Sequence, residues 1–192
     1  MSLPEIPFWF IRHGQTDYNL AGLAQGVLDV DLNATGRLQA AQAVPLLEGR
    51  GITAIISSPM RRASETSAII NAVLHVPLSY EADLREVSFG DAEGKSPDPW
   101  FPEWVAGYYT PNNGESFDAL ALRVGAVLGR VLVAHPGPLL IVAHGGVLRA
   151  IRDLMGLPKE AFTGNAIPLY CAPSGVGWQI TPAKALPAVP VT

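Results

Sequence analysis

Apolar residues gather in four short runs, at Phe8-Trp9-Phe10-Ile11, Ile52 to Ile56, Leu139 to Ala143 and, more weakly, Leu169 to Ala172. The first three end in a break of small or turn-forming residues: Arg12-His13-Gly14, Ser57-Ser58-Pro59 and His144-Gly145-Gly146. Near-continuous apolar runs of this length predict strands buried on both faces. Segments with helical spacing lie between them. One helix is predicted from Ala34 or Thr35 to about Glu48, closed by Gly49 and Gly51 and kinked by Pro45. A second follows Pro59, from about Arg61 to Leu74, with Ala63, Thr66 or Ser67, Ile70 and Leu74 at helical spacing. A third runs from near Glu115-Ser116 to about Ala134, and a fourth from Val147 to Met155. This alternation predicts an α/β protein: a single three-layer domain with a mainly parallel sheet flanked by helices.

Two stretches depart from the alternation. Residues 91–114 hold Pro97, Pro99, Pro102 and Pro111 beside Trp100, Phe101, Trp104, Tyr108 and Tyr109, an aromatic insertion more than a regular element. Pro168 and Pro173 interrupt Gly164 to Gly177, which weakens the expectation of regular strands there. A domain over 1–181 is expected, followed by a loosely held Pro-rich tail at 182–192.

Composition narrows the class. The 192 residues are 48% hydrophobic and 16% charged, enough apolar material for one core. The net charge is -4 and no Lys/Arg block occurs, so neither nucleic acid nor an anionic membrane is an expected partner. No apolar run reaches the roughly eighteen residues of a membrane span, and Met1 to Pro7 lacks the pattern of a secretory signal. A cytoplasmic location is expected. Cys171, the single cysteine, reads as a small buried residue.

The candidate chemistry lies at the strand ends. His13 and His144 each follow an apolar strand and directly precede glycine. Ligands of open α/β sheets bind beyond the carboxyl ends of the strands, so both imidazoles should face one crevice. His75 and His135 have no such context. Arg12 precedes His13, and Arg61 and Arg62 follow the Ser57-Ser58-Pro59 strand end, one of them expected on a solvated helix face. Guanidinium forks and the backbone N–H groups of Gly-rich turns are the parts of a phosphate pocket. Arginines repel a cation, so phosphate fits better than a metal, and no cofactor is expected.

A neutral imidazole can attack phosphorus and divide one displacement into two easier ones. The leaving alkoxide then needs a proton donor. Glu86 is the candidate, with Asp91 and Glu93 close in sequence as alternatives.

Arg12-His13-Gly14-Gln15-Thr16, followed by Asn19, resembles the Arg-His-Gly signature of the histidine phosphatase superfamily, the phosphoglycerate mutase-like family. The similarity continues through Asp31 to Gly36, Ser57 to Thr66, Leu84-Arg85-Glu86, Gly114-Glu115-Ser116 and Ala143 to Val147, in family order. The resemblance implies a phosphoglycerate mutase-like fold with the insertion over the active site. It implies that His13 is the phosphorylated nucleophile and Glu86 the proton donor. It also implies that Arg12, Asn19, Arg62 and His144 hold the phosphoryl group, leaving Arg61 to the surface or rim. Gln25-Gly26 falls where the family often contacts substrate.

The phosphohistidine of such a site can pass its phosphoryl group to water or back to a bound sugar acid. A mutase needs extra cationic contacts for a second phosphate. Between Glu86 and Gly114 stand Asp91, Glu93, Asp98 and Glu103 against Lys95 alone. A phosphomonoester hydrolase acting on a small molecule is therefore expected, with a cofactor-dependent phosphoglycerate mutase and a non-catalytic phosphate-binding module as alternatives.

Overall fold

The aromatic run near the start forms β1 (Phe8–Arg12), and its residues alternate between two buried clusters. Phe8 and Phe10 enter one with Ile56, Ile141 and Leu169, while Trp9 and Ile11 enter the other with Ile55, Leu140 and Val142. A strand covered on both faces needs apolar residues at every position, which is why the run shows no period of two. The computed structural model describes residues 3–161 and 163–184.

Six strands make one sheet. Parallel to β1 run β2 (Ala54–Ser57), β3 (Leu78–Tyr80) and β4 (Leu139–Ala143), and β5 (Leu169–Ser174) and β6 (Gly177–Pro182) form an antiparallel hairpin on the β1 side. The order is β3-β2-β4-β1-β5-β6. Six α-helices occur among the described residues: α1 (Asp17–Leu20), α2 (Ala34–Leu47), α3 (Arg61–Leu74), α4 (Phe101–Ala106), α5 (Phe117–Ala134) and α6 (Gly145–Leu154). α5 and α6 cover the Phe8 face, and α2 and α3 the Trp9 face. The expected three-layer α/β domain is what the chain forms. None of the described helices is long and apolar enough to cross a membrane.

The differences from expectation have local causes. β2 begins at Ala54 instead of Ile52, because Thr53 N–H bonds Pro138 O at 3.0 Å before the ladder starts. β3 is short, exposed and paired on one side only, so it carries little apolar signal. α2 runs through Pro45 and ends two residues later, so the missing N–H falls in its last turn. Pro173 sits inside β5, where β1 has already ended at the Phe8–Cys171 pair and needs no N–H from it. Pro182 closes β6 and Ala183 N–H bonds Pro168 O at 2.9 Å, so the chain stays attached past Thr181. The rest of the expected tail, 185–192, lies outside the described residues. Cys171 is fully buried in β5, and burial pushes its thiol up to about 12.

The insertion is less irregular than its prolines suggest. Pro102 sits in the first turn of α4, which Gly107 ends at a φ of 86°. Trp104 is buried, donates from Nε1 to Glu115 O at 3.0 Å and meets Phe117 edge-on at 5.3 Å.

Candidate active site

The sheet places the two histidines side by side. β1 and β4 are parallel neighbours with Arg12 opposite Ala143, so the next residue of each strand lands at the same carboxyl end. His13 N–H bonds Ala143 O at 2.9 Å, and the two imidazole centroids are 5.2 Å apart. β2 flanks β4 on the other side, and Ser58 N–H bonds Val142 O at 2.9 Å. Beyond these strand ends opens a cavity of about 300 Å³.

His13 is held in one tautomer. Its Nδ1 lies 2.7 Å from Gly14 O, and a carbonyl only accepts, so Nδ1 carries the hydrogen and Nε2 keeps a bare lone pair. Arg62 Nε–H points at that lone pair from 3.2 Å. Burial, then the charges of Arg62 and Arg12, hold the His13 pKa well below the ordinary imidazole range. The ring is therefore neutral at pH 7. Gly14 permits this placement because a Cβ there would stand 2.3 Å from Gly36 O, at the start of α2.

His144 is also buried and neutral, with burial and then Arg62 and His13 lowering its pKa. Its Nε2 lies 2.8 Å from Ser58 Oγ, while Nδ1 has no hydrogen-bond partner among the described residues. Arg12 keeps its Nε buried and unpartnered too, with Nη1 donating to Thr163 O at 3.3 Å. Arg62, fully buried, donates from Nη1 to Leu28 O at 2.7 Å and from Nη2 to Gly26 O at 2.8 Å, which leaves two N–H groups unspent. Buried donors without acceptors, at the cavity and directly behind His13, describe a place for an anion.

Glu86 lines the same cavity. Its Oε2 accepts Gly146 N–H at 3.0 Å and its Oε1 accepts Val87 N–H at 3.0 Å. The carboxylate supplies the cap that the His144 side chain does not give α6. Gly146 makes the contact possible, since a Cβ there would come within 2.4 Å of Glu86 Oε1. Asn19, the third residue of α1, accepts at Oδ1 from Thr16 N–H and from Asn165 Nδ2, so its own amide N–H₂ stays available.

A model of the histidine phosphatase superfamily (branch 1) matches residues 8–179. The chain belongs to this superfamily. The phosphatase PhoE of Bacillus subtilis is 37% identical over 142 residues, 73% of this chain and 72% of that protein. The adenosylcobalamin/alpha-ribazole phosphatase of Escherichia coli is 32% identical over 166 residues, covering 80% and 81%. Among solved structures, a mycobacterial glucosyl-3-phosphoglycerate phosphatase in complex with VO3 superposes with a TM-score of 0.81 at 28% identity, covering 91% of this chain and 97% of that one. The fold is thus that of a histidine phosphatase, and the chain is a phosphatase of this superfamily.

Of the residues singled out in the sequence, Arg12, His13, Asn19, Arg62 and Glu86 line the cavity together with Gln25 and Gly26. His144 packs against His13 without itself lining it. Arg61 lies on the surface, paired with Asp31 at 2.7 Å. The alternative acids stand elsewhere: Glu93 Oε1 accepts the N–H groups of Val27 and Phe89, and Asp91 accepts from Asn113. Trp104, Tyr108 and Tyr109 do not line the cavity, whereas Phe89 and Phe101 do. His135, the residue that follows α5, donates from Nδ1 to Val131 O at 2.8 Å. Asn165 and Arg149 are not singled out by the sequence, and Ser58 is marked there only as part of a strand end. The spacing of four from Gly145, which puts Arg149 on the same face of α6, is the signal that could have found it.

Proposed function

We propose that this histidine phosphatase hydrolyses small phosphomonoesters through a phosphohistidine on His13 Nε2. The observation that carries the reading is the His13 tautomer, with its proton on Nδ1 donated to Gly14 O and its Nε2 lone pair turned toward Arg62 at the cavity. Nε2 attacks phosphorus, the bond from phosphorus to the ester oxygen breaks, and Glu86 gives its proton to the departing alkoxide. Glu86 then takes a proton from water as the water oxygen attacks phosphorus. The phosphorus–nitrogen bond breaks, releasing phosphate and restoring His13.

In this scheme the free N–H groups of Arg12, Arg62 and Asn19 and the Nδ1–H of His144 take the phosphoryl oxygens. These donors are in place before substrate arrives, so little reorganisation accompanies the charge that develops in the transition state. Hydrolysis is favoured over a mutase reaction by the acidic insertion, which offers a second phosphate only Lys95. A lipophilic wall of Phe89, Phe101 and Leu148 favours turnover of a carbon-rich ester over simple phosphate capture.

The test is p-nitrophenyl phosphate turnover by wild type and His13→Ala, with circular dichroism as a check on folding. Loss of at least about a thousandfold in kcat supports the nucleophile assignment. A folded variant that retains most of its rate overturns it. Phosphate released from 3-phosphoglycerate, without conversion to 2-phosphoglycerate when the bisphosphate is added, supports the hydrolase over the mutase.

A further inference from the structure

The phosphoryl donors account for one part of the cavity. Arg149 belongs to another. It rises from α6 one turn beyond Gly145 and lines the cavity with Phe101 and Leu148. Its Cζ stands 5.1 Å over the Phe101 ring, and its Nη1 donates to Lys159 O at 2.6 Å. A guanidinium has five N–H groups, so four remain. Among the described residues Arg149 has no ion-pair partner within 4.0 Å. A half-buried cation stacked on an aromatic ring, with an open fork and a cavity before it, is a receptor for a planar anion.

We propose that Arg149 and Phe101 form the subsite for the leaving alcohol, and that the substrate class is a phosphorylated hydroxy acid, whose carboxylate Arg149 holds. The proposal rests on the phosphatase reading of His13. Phe101 and Leu148 cover the carbon skeleton, and the guanidinium takes the carboxylate oxygens in a bidentate pair. A second phosphate suits the position less well, since a dianion asks for a second cation. Lys159, whose carbonyl Arg149 holds, is paired with Asp153 at 3.4 Å and stands over Phe117. The arrangement also changes what the insertion's acidity means. The cation for the leaving group comes from α6, where the count of charges between Glu86 and Gly114 does not look.

The competing role for Arg149 is mechanical, pinning the Lys159 segment and the Phe101 ring. Two esters separate the roles: 3-phosphoglycerate and glycerol 3-phosphate, which share a three-carbon skeleton and differ in the carboxylate. Phosphate release is measured for both, with p-nitrophenyl phosphate as a general reporter of turnover. Wild type is expected to prefer 3-phosphoglycerate by about tenfold or more in kcat/KM, the size of one charge-assisted hydrogen-bonded contact. Arg149→Gln should erase that preference, chiefly through KM, and Arg149→Lys should restore part of it. Equal losses on both esters, or a wild type that hydrolyses p-nitrophenyl phosphate without discriminating the pair, overturn the subsite and leave the phosphatase reading standing. A wild type that hydrolyses none of the three overturns both. The wild-type preference needs no variant, so a misfolded Arg149→Gln does not rescue the proposal.

Discussion

Ser58 Oγ stands 2.8 Å from His144 Nε2, and this contact decides which nitrogen of His144 holds the proton. Ser58 Oγ already accepts the Met60 N–H at 3.3 Å, and in its buried site the imidazole is the acceptor its own hydrogen can reach. Nε2 therefore accepts, and Nδ1, buried and unpartnered beside His13, is an N–H donor kept in reserve.

Removing that hydroxyl should redistribute the tautomers. Ser58→Ala is expected to lower kcat on p-nitrophenyl phosphate by about tenfold, the scale of one lost transition-state hydrogen bond. Nitrogen NMR of His144 should show the proton moving toward Nε2. Ser58→Thr should recover both signals. An unchanged nitrogen spectrum in Ser58→Ala would remove the hydroxyl as the determinant.

Acid should lower stability before it protonates the nucleophile. Burial, Arg62 and Arg12 favour neutral His13, so its folded pKa lies well below its unfolded value of about 6.5. The same holds for His144. Below pH 6.5 the unfolded chain binds protons that the folded one refuses, so stability falls as pH drops toward the folded pKa values. Two such groups give a slope approaching about 2.7 kcal/mol per pH unit at its steepest. Tm measured between pH 7 and 5 should fall accordingly, and His144→Asn should roughly halve the histidine part of the slope. The rate on p-nitrophenyl phosphate should keep its nucleophile unprotonated well below pH 6.5. An acidic limb centred at 6.5 that follows His13 would contradict the buried neutral ring.

Glu86 and Gly146 should fail together. A methyl at position 146 would meet Glu86 Oε1 at 2.4 Å, so Gly146→Ala must displace the carboxylate. Both Gly146→Ala and Glu86→Gln are expected to slow alkyl phosphates, whose alkoxides need a proton, by about a hundredfold or more. p-Nitrophenyl phosphate, with its good leaving group, should lose far less. Equal losses on the two kinds of ester would assign the proton to another residue.

Turnover should survive exhaustive dialysis against EDTA, because each step of the proposed reaction uses side chains alone. A loss restored by added Mg²⁺ or Zn²⁺ would require a metal in the scheme.

The legible part of this protein is what parallel strands impose. Four residues of unbroken apolar sequence before Arg12-His13, and five before His144, mark strands buried on both faces, and their common end brings the rings together. Residues whose place depends on a loop's path are not legible. Asn165, which donates to both His13 O and Asn19 Oδ1, precedes an Ala166 held at a φ of 49° by its N–H bond to Arg12 O. Nothing local favours that turn, since alanine resists a left-handed backbone. The tertiary contacts impose it. The aromatic insertion is half legible: its richness in rings predicts packing, but not that Phe101 faces the cavity while Trp104 fills the core.

Arg62 ties the floor of the pocket to its rim. One guanidinium reaches the nucleophile through Nε and the carbonyls of Gly26 and Leu28 through its two other nitrogens. Those two partners are backbone oxygens, so the bond at position 28 does not depend on a functional group in its side chain. Substitutions there can then accumulate while the aim of the imidazole is inherited intact. An insertion between 26 and 28 would do the opposite, spoiling the aim without touching a single catalytic group.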